Sequence, residues 1–413
     1  MPKPKQLYVH AISDKNWSGI HSVEKYEFRV IVSAPKDQEN IYVFSEAPDE
    51  EYLAYRRDYL GYQIDQEQFF VASGHGRHLA ERVLNDHPLV ERLKGMLPQG
   101  SIMDTFTVGP AEERLAERMG MRLIGKTADA NLGSKSNFRR LVKQSGFQVA
   151  PGHECLTSSL EVIGAAAELF DRGARRVVVK GDFGASSSQN QLFESDENWV
   201  EKVERFLDDI SFSGGVVEEW IENVEISPST HYQLNGRAVQ QPGPWEQVLR
   251  GRNRVYAGAT YPARVSQKLA REIKRQGLAI AGLFSDLGVE GALGFDCVVT
   301  NSGQIIWSEA NVRKGGVTFI RDFAVVQNVI DRVIWGLDLV DERLMNMSFG
   351  EVLKKTKPLL FRSTDSDSQK EGVVFYNVGC LSKGKIQLII VAKTVEEAQF
   401  YWTMLNRKMF DLL

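Results

Sequence analysis

The chain has 413 residues, of which 43% are hydrophobic and 25% are charged, so it is a globular chain long enough for two or three domains. The formal net charge of −4 and the pI of about 6.1 give no basis for a nucleic-acid partner. The sequence has no run of about 18 apolar residues and no apolar N-terminal core, so neither a membrane span nor a secretion signal is expected. The three cysteines are widely spaced, which disfavours a disulfide framework and favours a reducing cytoplasm.

Predicted strands alternate with predicted helices along the chain, which indicates an α/β or α+β fold. The pattern of the first 125 residues predicts strands at 28–32, 41–44 and 121–124, and helices at 87–96 and 111–119. A capping-box pair, Ser158 and Glu161, begins a predicted helix that ends near Gly173. The later predicted elements are a buried strand at 176–180, a helix over 269–287, a strand at 387–391 and a helix from Thr394.

Residues 120–127, Gly-Met-Arg-Leu-Ile-Gly-Lys-Thr, match the letters of the phosphate-binding loop G-x-x-x-x-G-K-T. That loop needs a strand before its first glycine and a helix after its lysine, so that backbone amides surround the phosphate. Here a predicted helix precedes Gly120, and a glycine in that place is typical of a helix C-terminus. The four residues after it resemble a strand. We therefore interpret the match as accidental.

A second candidate for phosphate binding follows the buried strand Arg176–Lys180. Lys180 ends that strand, and the small-residue sequence Gly181–Ser188 comes directly after it. A lysine at a strand end can hold phosphate oxygens with its ammonium group, while loop amides and hydroxyls close over the rest. An ordinary polar hairpin turn is the alternative.

A strand at 216–221 carries two acidic residues, Glu218 and Glu219, and Glu225 lies seven residues beyond the first of them. Apolar residues beside exposed backbone could bind an adenine ring, and a carboxylate could accept hydrogen bonds from ribose hydroxyls. An amphipathic strand with solvated acids is the alternative.

The most informative segment is a predicted β-hairpin whose turn is Asn301-Ser302-Gly303. A turn centred between Ser302 and Gly303 places Asp296 opposite Glu309, with Asn311 and Arg313 on the same face. Directly opposed residues have Cβ atoms roughly 5 Å apart, so two carboxylates there repel each other. Carboxylate and amide oxygens suit a hard cation such as Mg²⁺, which would remove the repulsion. A solvated sheet face is the alternative.

A basic stretch at 240–264 is punctuated by Pro and Gly, and it is predicted to be an insert of solvent-facing loops. Binding of a substrate carboxylate is the alternative role for this stretch. Its aromatic and basic residues are Trp245, Arg250, Arg252, Arg254, Tyr256 and Arg264.

The order of these features, over about residues 125–335, resembles that of the ATP-grasp superfamily: Lys135, then Lys180 with its loop, then the acidic strand, then the hairpin. Within the superfamily the chain is similar to the pheganomycin-type peptide ligases, which carry a distinct domain before the ATP-grasp domain. That closer similarity extends over nearly the whole chain. It rests on the segments 132–136, 226–229, 247–249, 255–256, 311–318, 379–382 and 396–398.

The resemblance implies an ATP-grasp fold, in which two α+β subdomains grip ATP, preceded by an α/β domain. The predicted domains are an α/β domain at 1–125, the ATP-grasp domain at 126–340 and a C-terminal α/β segment at 341–413 that packs on the ATP-grasp core. Within the ATP-grasp domain, the lid subdomain is expected at about 155–220 and the metal hairpin at 290–313.

The resemblance also implies ATP and one or two Mg²⁺ ions, for which Mn²⁺ is an alternative, and a role for each candidate residue. Lys135 and Lys180 would contact the phosphates, under a loop that includes Gly184, Ser186 and Ser187. The strand with Glu218 would bind adenine through the backbone of Glu219, Trp220 and Ile221, and Glu225 would bind ribose. The metal ligands would be Asp296, Glu309 and Asn311. Arg313 would act with Lys180 as the catalytic pair that stabilises the transferring phosphoryl group.

The implied activity is that of a carboxylate–amine ligase. A substrate carboxylate attacks the γ-phosphate of ATP to give an acyl phosphate and ADP, and an amine then displaces phosphate to form a peptide or amide bond. The expected partners are small-molecule acids and amines, such as amino acids or peptides, and a homodimer is compatible with the sequence. A thiol acceptor on a carrier protein and a non-catalytic nucleotide-binding regulator are the alternatives. This chain has Phe319 where relatives commonly have a histidine.

Overall fold

The computed structural model describes residues 6–10, 23–36, 40–63, 66–184, 189–251, 255–364, 366 and 370–410. In the described N-terminal part, five parallel strands form a sheet in the order β3-β2-β1-β4-β5. The strands are β1 (Gln6–Val9), β2 (Asn40–Phe44), β3 (Phe69–Val71), β4 (Ile102–Thr105) and β5 (Arg122–Leu123). The helices of this part are α1 (Val30–Ser33), α2 (Glu50–Leu60), α3 (Leu79–Leu84), α4 (His87–Met96) and α5 (Pro110–Met119), with 3₁₀ turns at Val23–Arg29 and Gln66–Gln68.

A four-stranded antiparallel sheet with the order β6-β9-β7-β8 follows. Its strands are β6 (Gly152–Leu156), β7 (Arg176–Gly181), β8 (Asn190–Glu194) and β9 (Gly215–Glu219). Two helices precede it, α6 (Asp129–Leu132) and α7 (Lys135–Gln144), and two more cover it, α8 (Ser159–Asp171) and α9 (Trp199–Asp209). The capping box of Ser158 and Glu161 forms as expected, and Gly173 follows the helix with a φ of +96°.

The third sheet has ten antiparallel strands in the described chain, and it forms the centre of the molecule. Its strands are β10 (Val224–Ile226), β11 (Pro228–Leu234), β12 (Ala238–Gln240), β13 (Trp245–Arg250), β14 (Val255–Tyr261), β15 (Gly291–Thr300), β16 (Ile305–Asn311), β17 (Val333–Val340), β18 (Gly372–Asn377) and β19 (Lys385–Ala392). The remaining α-helices are α10 (Gln267–Asp286), α11 (Gly316–Val326), α12 (Phe349–Thr356) and α13 (Val395–Phe410). Short 3₁₀ turns lie at Glu342–Asn346, Lys357–Leu359 and Leu381–Lys383.

The largest hydrophobic core joins the two ends of the chain. Side chains of α1 and α2 pack with those of β17, β18 and β19, and Tyr52 Oη donates a hydrogen bond to the Tyr376 carbonyl at 2.9 Å. The division into domains at residues 125 and 340 stays a prediction. Among the described residues, no helix combines the length and the apolar character needed to cross a bilayer.

Two predictions about secondary structure were wrong. Residues 28–32 are not a strand, because Arg29 ends a 3₁₀ turn and Val30 begins α1. Phe28 and Val30–Val32 are all at most 4% exposed, and an apolar run buried on every side does not distinguish strand from helix by its periodicity. The stretch at 240–264 is not an insert of solvent-facing loops, because β13 and β14 are paired strands inside the central sheet. Residues 252–254 lie outside the described part.

Candidate functional site

The hairpin of β15 and β16 places Asp296 and Glu309 together as predicted, but it does so through a β-bulge between Asp296 and Cys297 that the turn signal did not predict. Asp296 lies opposite Glu309, and Gly294 lies opposite Asn311. Both carboxylates and Arg313, just beyond the end of β16, line one cleft of about 350 Å³ between the four-stranded sheet and the central sheet. The Asn311 amide donates to Asp296 Oδ2 at 3.2 Å. The prediction that these four side chains lie close together is therefore confirmed.

The electrostatics of the hairpin face are unfavourable for two negative charges. Burial raises the pKa of the Asp296 carboxyl well above its ordinary range, and repulsion from the Glu309 carboxylate is the second contribution in the same direction. A hydrogen bond from Gln247 and the charge of Arg313 act in the opposite direction without overcoming these effects. A facing pair of half-buried carboxylates is a costly arrangement for the fold, which is typical of a functional site.

The donor set of this face fits a magnesium ion. Asp296, Glu309 and Asn311 offer carboxylate and amide oxygens, which are the ligands of hard cations. The described residues contain no group of three or more His, Cys, Asp and Glu side chains placed to hold a metal. A site with two carboxylates suits Mg²⁺, since this ion usually keeps waters or substrate phosphates among its ligands.

Lys180 belongs to a chain of buried charges on the opposite side of the cleft. Its ammonium lies 2.6 Å from Glu218 Oε2, and Arg139 donates to Glu218 Oε1 at 2.7 Å and to Glu154 at 2.7 Å. The side chain of Glu218 is only 5% exposed, and its buried charge is compensated by these two cations. Glu218 therefore orients Lys180 in this structure, a contact that sequence reasoning did not predict.

Lys135 begins helix α7, and Ser134 caps that helix by accepting from the Asn137 backbone amide. The side chain of Lys135 is buried, and burial, together with the nearby charges of Lys180 and Arg313, lowers its pKa, while Glu309 and Asp182 oppose that change. Lys135 lines a smaller cavity of about 110 Å³ that shares Glu309, Asn311 and Arg313 with the main cleft. The two predicted lysines therefore approach the hairpin face from different elements.

The predicted adenine segment lines the main cleft. Strand β9 ends at Glu219 and β10 begins at Val224, so the backbone at Trp220 and Ile221 lies outside both strands. Apolar side chains from two sheets face this segment across the cleft: Val178, Leu192, Val298 and Ile306. A flat apolar ring fits between such surfaces.

The remaining predicted residues are less central. Glu225 is exposed on β10 next to Val224, which does line the cleft. Gly184 lines the smaller cavity, whereas Ser186 and Ser187 lie outside the described residues. Lys126 of the accidental phosphate-loop match is exposed, and the helix α5 precedes Gly120 as expected.

Sequence reasoning missed a group of polar residues at one end of the cleft, which we call the Arg29 cluster: Arg29, Tyr256, Asp338 and Lys385. They come from the 3₁₀ turn before α1 and from the strands β14, β17 and β19. Arg29 lay in a segment predicted as a strand, and Tyr256 lay in a segment predicted as a loop. No local sequence pattern connects the four residues, since they meet only through the pairing of distant strands.

The N-terminal sheet supports the end of the hairpin. The Lys314 backbone amide donates to the Phe106 carbonyl at 3.1 Å, and the Lys314 ammonium pairs with Asp104. Asp104 also accepts from His10 Nε2 at 2.6 Å. Burial lowers the pKa of His10 to about 4, so this histidine is neutral at physiological pH. These contacts fix the chain directly after Arg313.

Two proteins of named activity are similar to this chain in sequence. No family model matches the chain. The chain is 29% identical over 376 residues to an L-propargylglycine–L-glutamate ligase of Streptantibioticus cattleyicolor, a match that covers 80% of this chain and 75% of that protein. It is 25% identical over 198 residues to the [butirosin acyl-carrier protein]–L-glutamate ligase of Niallia circulans, a match that covers 48% of this chain and 46% of that protein.

Solved structures show the same fold at low sequence identity. An N5-carboxyaminoimidazole synthase from Aspergillus clavatus, in complex with ADP and 5-aminoimidazole ribonucleotide, superposes with a TM-score of 0.62 at 12% identity and covers 99% of both chains. A biotin carboxylase from Campylobacter jejuni, with a bound ATP analogue, has a TM-score of 0.63 at 13% identity and covers 96% of this chain and 89% of its own. These solved structures therefore show the overall fold of this chain.

Proposed function

We propose that this ATP-grasp ligase, which forms carbon–nitrogen bonds with cleavage of ATP, activates the carboxylate of an amino acid, with L-glutamate as the first candidate. Both named relatives have L-glutamate as a substrate in their names. The observation that carries the proposal is the facing pair of Asp296 and Glu309, with Arg313 and Lys135 beside it. That face would be the site of phosphoryl transfer.

ATP would lie across the main cleft. The backbone at Trp220 and Ile221 would contact adenine between the apolar side chains of the two sheets, and Glu225 at the rim would accept from the ribose hydroxyls. Lys180 and Lys135 would donate to the phosphate oxygens from opposite sides. Lys180 is held for this role by Glu218, since its ammonium is already oriented at 2.6 Å from that carboxylate.

Asp296, Glu309 and Asn311 would hold Mg²⁺, because their oxygens fit its preference and their mutual repulsion would be relieved by a cation. The ion, when bound, neutralises charge on the phosphate oxygens. Arg313 would donate to oxygens of the transferring phosphoryl group and later to the oxyanion oxygen of the tetrahedral intermediate, where charge develops. Its position is fixed by the hydrogen bond that the Lys314 backbone amide donates to the Phe106 carbonyl.

The chemistry would proceed in two displacements. A carboxylate oxygen of the acid attacks the γ-phosphorus of ATP, and the bond to the bridging oxygen breaks to release ADP. A neutral amine then attacks the carbonyl carbon of the acyl phosphate, inorganic phosphate leaves, and the amine loses a proton. Neither step needs a nucleophilic side chain of the protein.

A carrier-protein thiol is a second candidate acceptor, because one relative is named for ligation to an acyl-carrier protein. The match to that relative covers less than half of either chain, which makes the amine the better-supported acceptor. A cytoplasmic location is part of the proposal and agrees with the free thiols of Cys155, Cys297 and Cys380.

We expect the purified protein to release ADP when L-glutamate and a small amine, or hydroxylamine as an amine substitute, are both present with Mg²⁺ and ATP. Mass spectrometry should identify the amide or the hydroxamate. Omitting the amino acid should reduce ADP release to background. If no member of a panel of amino acids and short peptides raises ADP release above background, an amino-acid substrate is excluded.

A further inference from the structure

We propose that the Arg29 cluster binds the α-carboxylate and α-ammonium of a dicarboxylic amino acid, whose side-chain carboxylate is the one that becomes phosphorylated. This inference rests on the proposed function and adds to it the substrate class, the orientation of the substrate and the residues that select it.

Arg29 is a buried cation without a carboxylate partner. The residue is 5% exposed, and its Nε donates to the Tyr26 carbonyl at 3.1 Å. Within the part of the chain that the structure describes, no carboxylate oxygen lies within 4.0 Å of its guanidinium. Leaving a charge buried without a counter-ion is costly, and the guanidinium borders the cleft, so an anionic ligand group is the natural compensation.

Aromatic rings hold the guanidinium in place. Its Cζ atom lies 4.4 Å from the ring centroid of Phe319 and 4.9 Å from that of Phe106. Cation–π contacts stabilise the position of an arginine and leave its in-plane N–H donors available. Phe319 is therefore a supporting surface for Arg29 in this chain.

Tyr256 supplies a second donor. Its hydroxyl group is buried, it has no hydrogen-bond partner in the described structure, and its side chain lines the cleft. A Cβ atom on Gly316 would lie 2.9 Å from this hydroxyl, so the turn before α11 approaches it closely. Burial raises the pKa of the Tyr256 hydroxyl, and the charges of Asp338 and Asp296 raise it further. The phenol therefore stays protonated and can donate a hydrogen bond. A substrate carboxylate would accept a hydrogen bond from this hydroxyl.

Asp338 gives the cluster its negative charge. It is 7% exposed on β17, and its two oxygens accept from Gln387 at 2.7 Å and from Lys385 at 2.6 Å. Each carboxylate oxygen can accept more than one bond, so the group retains capacity for a substrate ammonium. A pocket with an unpaired guanidinium, a free hydroxyl and a carboxylate matches the carboxylate and ammonium that every α-amino acid carries.

The location of the cluster sets the orientation of the substrate. The guanidinium of Arg313 lies 5.8 Å from the Phe106 ring centroid, so Arg29 and Arg313 contact the same ring. Tyr256 and Asp296 also line the same cleft, which places the cluster in the same cavity as the hairpin face. An amino acid bound by its α-groups at Arg29 would therefore extend its side chain toward Arg313, and a side-chain carboxylate would lie where phosphoryl transfer occurs.

The test compares L-glutamate with 4-aminobutanoate, which lacks the α-carboxylate, in the wild type and in the variants Tyr256→Phe and Arg29→Gln. The Tyr256→Phe protein should keep its melting temperature and its KM for ATP, while its KM for L-glutamate rises about tenfold, because only an unpartnered hydroxyl is removed. Arg29→Gln should lower kcat/KM for L-glutamate about 100-fold and abolish the preference over 4-aminobutanoate. Arg264→Gln is the matched control, since Arg264 is exposed and already pairs with Glu246.

The results separate this inference from the proposed function. If the wild type uses no amino acid at all, the proposed function fails. If it releases ADP with monocarboxylic amino acids but with neither L-glutamate nor L-aspartate, the dicarboxylic class is wrong. If it uses L-glutamate and Tyr256→Phe leaves KM for L-glutamate unchanged, the α-groups are not bound at this cluster. Should Arg29→Gln fail to fold, the Tyr256→Phe comparison still decides the matter.

Discussion

Replacing Asp296 by Asn is expected to lower turnover at least 100-fold, the scale typical for loss of one group that stabilises developing charge, and to leave the metal-free protein as stable as the wild type or more stable. The two effects have one cause. Asp296 and Glu309 face each other in register, and burial and mutual repulsion disfavour the ionised pair. Asn removes the repulsion and also one of the anionic ligands proposed for Mg²⁺.

The pH dependence of stability follows from the same pair. Because the folded-state pKa of Asp296 is raised, the folded protein binds more protons than the unfolded chain above the ordinary carboxyl pKa of about 4. The contribution of Asp296 to stability is therefore fully present at acidic pH and is lost as the pH rises toward neutrality. In a metal-free buffer, the melting temperature of the wild type should fall over this range relative to that of Asp296→Asn, and Mg²⁺ should reduce the difference.

Thermal melts at several pH values, with and without Mg²⁺, and steady-state ADP release measure these effects. Asp209→Asn, at the exposed C-terminal end of α9, is the control for the loss of one carboxylate. Near-wild-type ADP release by Asp296→Asn at ordinary Mg²⁺ concentrations would contradict the assignment of this face as the site of phosphoryl transfer.

Replacing Lys180 by Gln should abolish the thermal stabilisation that ATP gives to the wild type. The stabilisation equals RT ln(1 + [L]/Kd), so a large loss of affinity removes it at a fixed nucleotide concentration. Gln retains a donor toward Glu218, and Arg139 still compensates that carboxylate at 2.7 Å, so the unliganded protein should melt close to the wild type. A differential scanning measurement with and without ATP gives both values.

Lys126→Gln is the matched control for this experiment. Lys126 belongs to the sequence that matches a phosphate loop by letters alone, and it is exposed in the structure. The variant should retain the full nucleotide-dependent shift. If Lys126→Gln loses the shift and Lys180→Gln keeps it, the nucleotide binds elsewhere and the interpretation of the main cleft fails.

The hairpin could be predicted from sequence because its information is local. The turn at Asn301–Gly303 predicts approximately which residues pair across the hairpin, and the facing pair of Asp296 and Glu309 was confirmed, although a β-bulge between Asp296 and Cys297 shifts the register by one residue nearer the turn. The capping box at Ser158 and the helix that ends at Gly120 are equally local signals, and both were confirmed. Turn and capping signals contained within a few residues were therefore reliable, whereas the apolar run at 28–32 was not.

The Arg29 cluster could not be predicted, because its members are brought together by long-range pairing. Strand β14 contacts β17, and β17 contacts β19, although the described chain between β17 and β19 contains the helix α12, three 3₁₀ turns and the strand β18. The apolar run around Arg29 was predicted to be a strand, which would have placed the arginine on the face of a sheet. It is a 3₁₀ turn followed by a helix. The ion pair of Lys180 and Glu218 was missed for the same reason, since β7 and β9 pair only in the folded sheet.

The central claim is that the carboxylate of the acid is phosphorylated by ATP before the amide forms, and transfer of an isotopic label tests it most directly. With the acid substrate labelled with ¹⁸O in the reacting carboxyl group, one labelled oxygen should appear in inorganic phosphate for each amide formed, with ADP as the nucleotide product. AMP as the nucleotide product, or inorganic phosphate that carries no transferred label, would contradict the acyl-phosphate route.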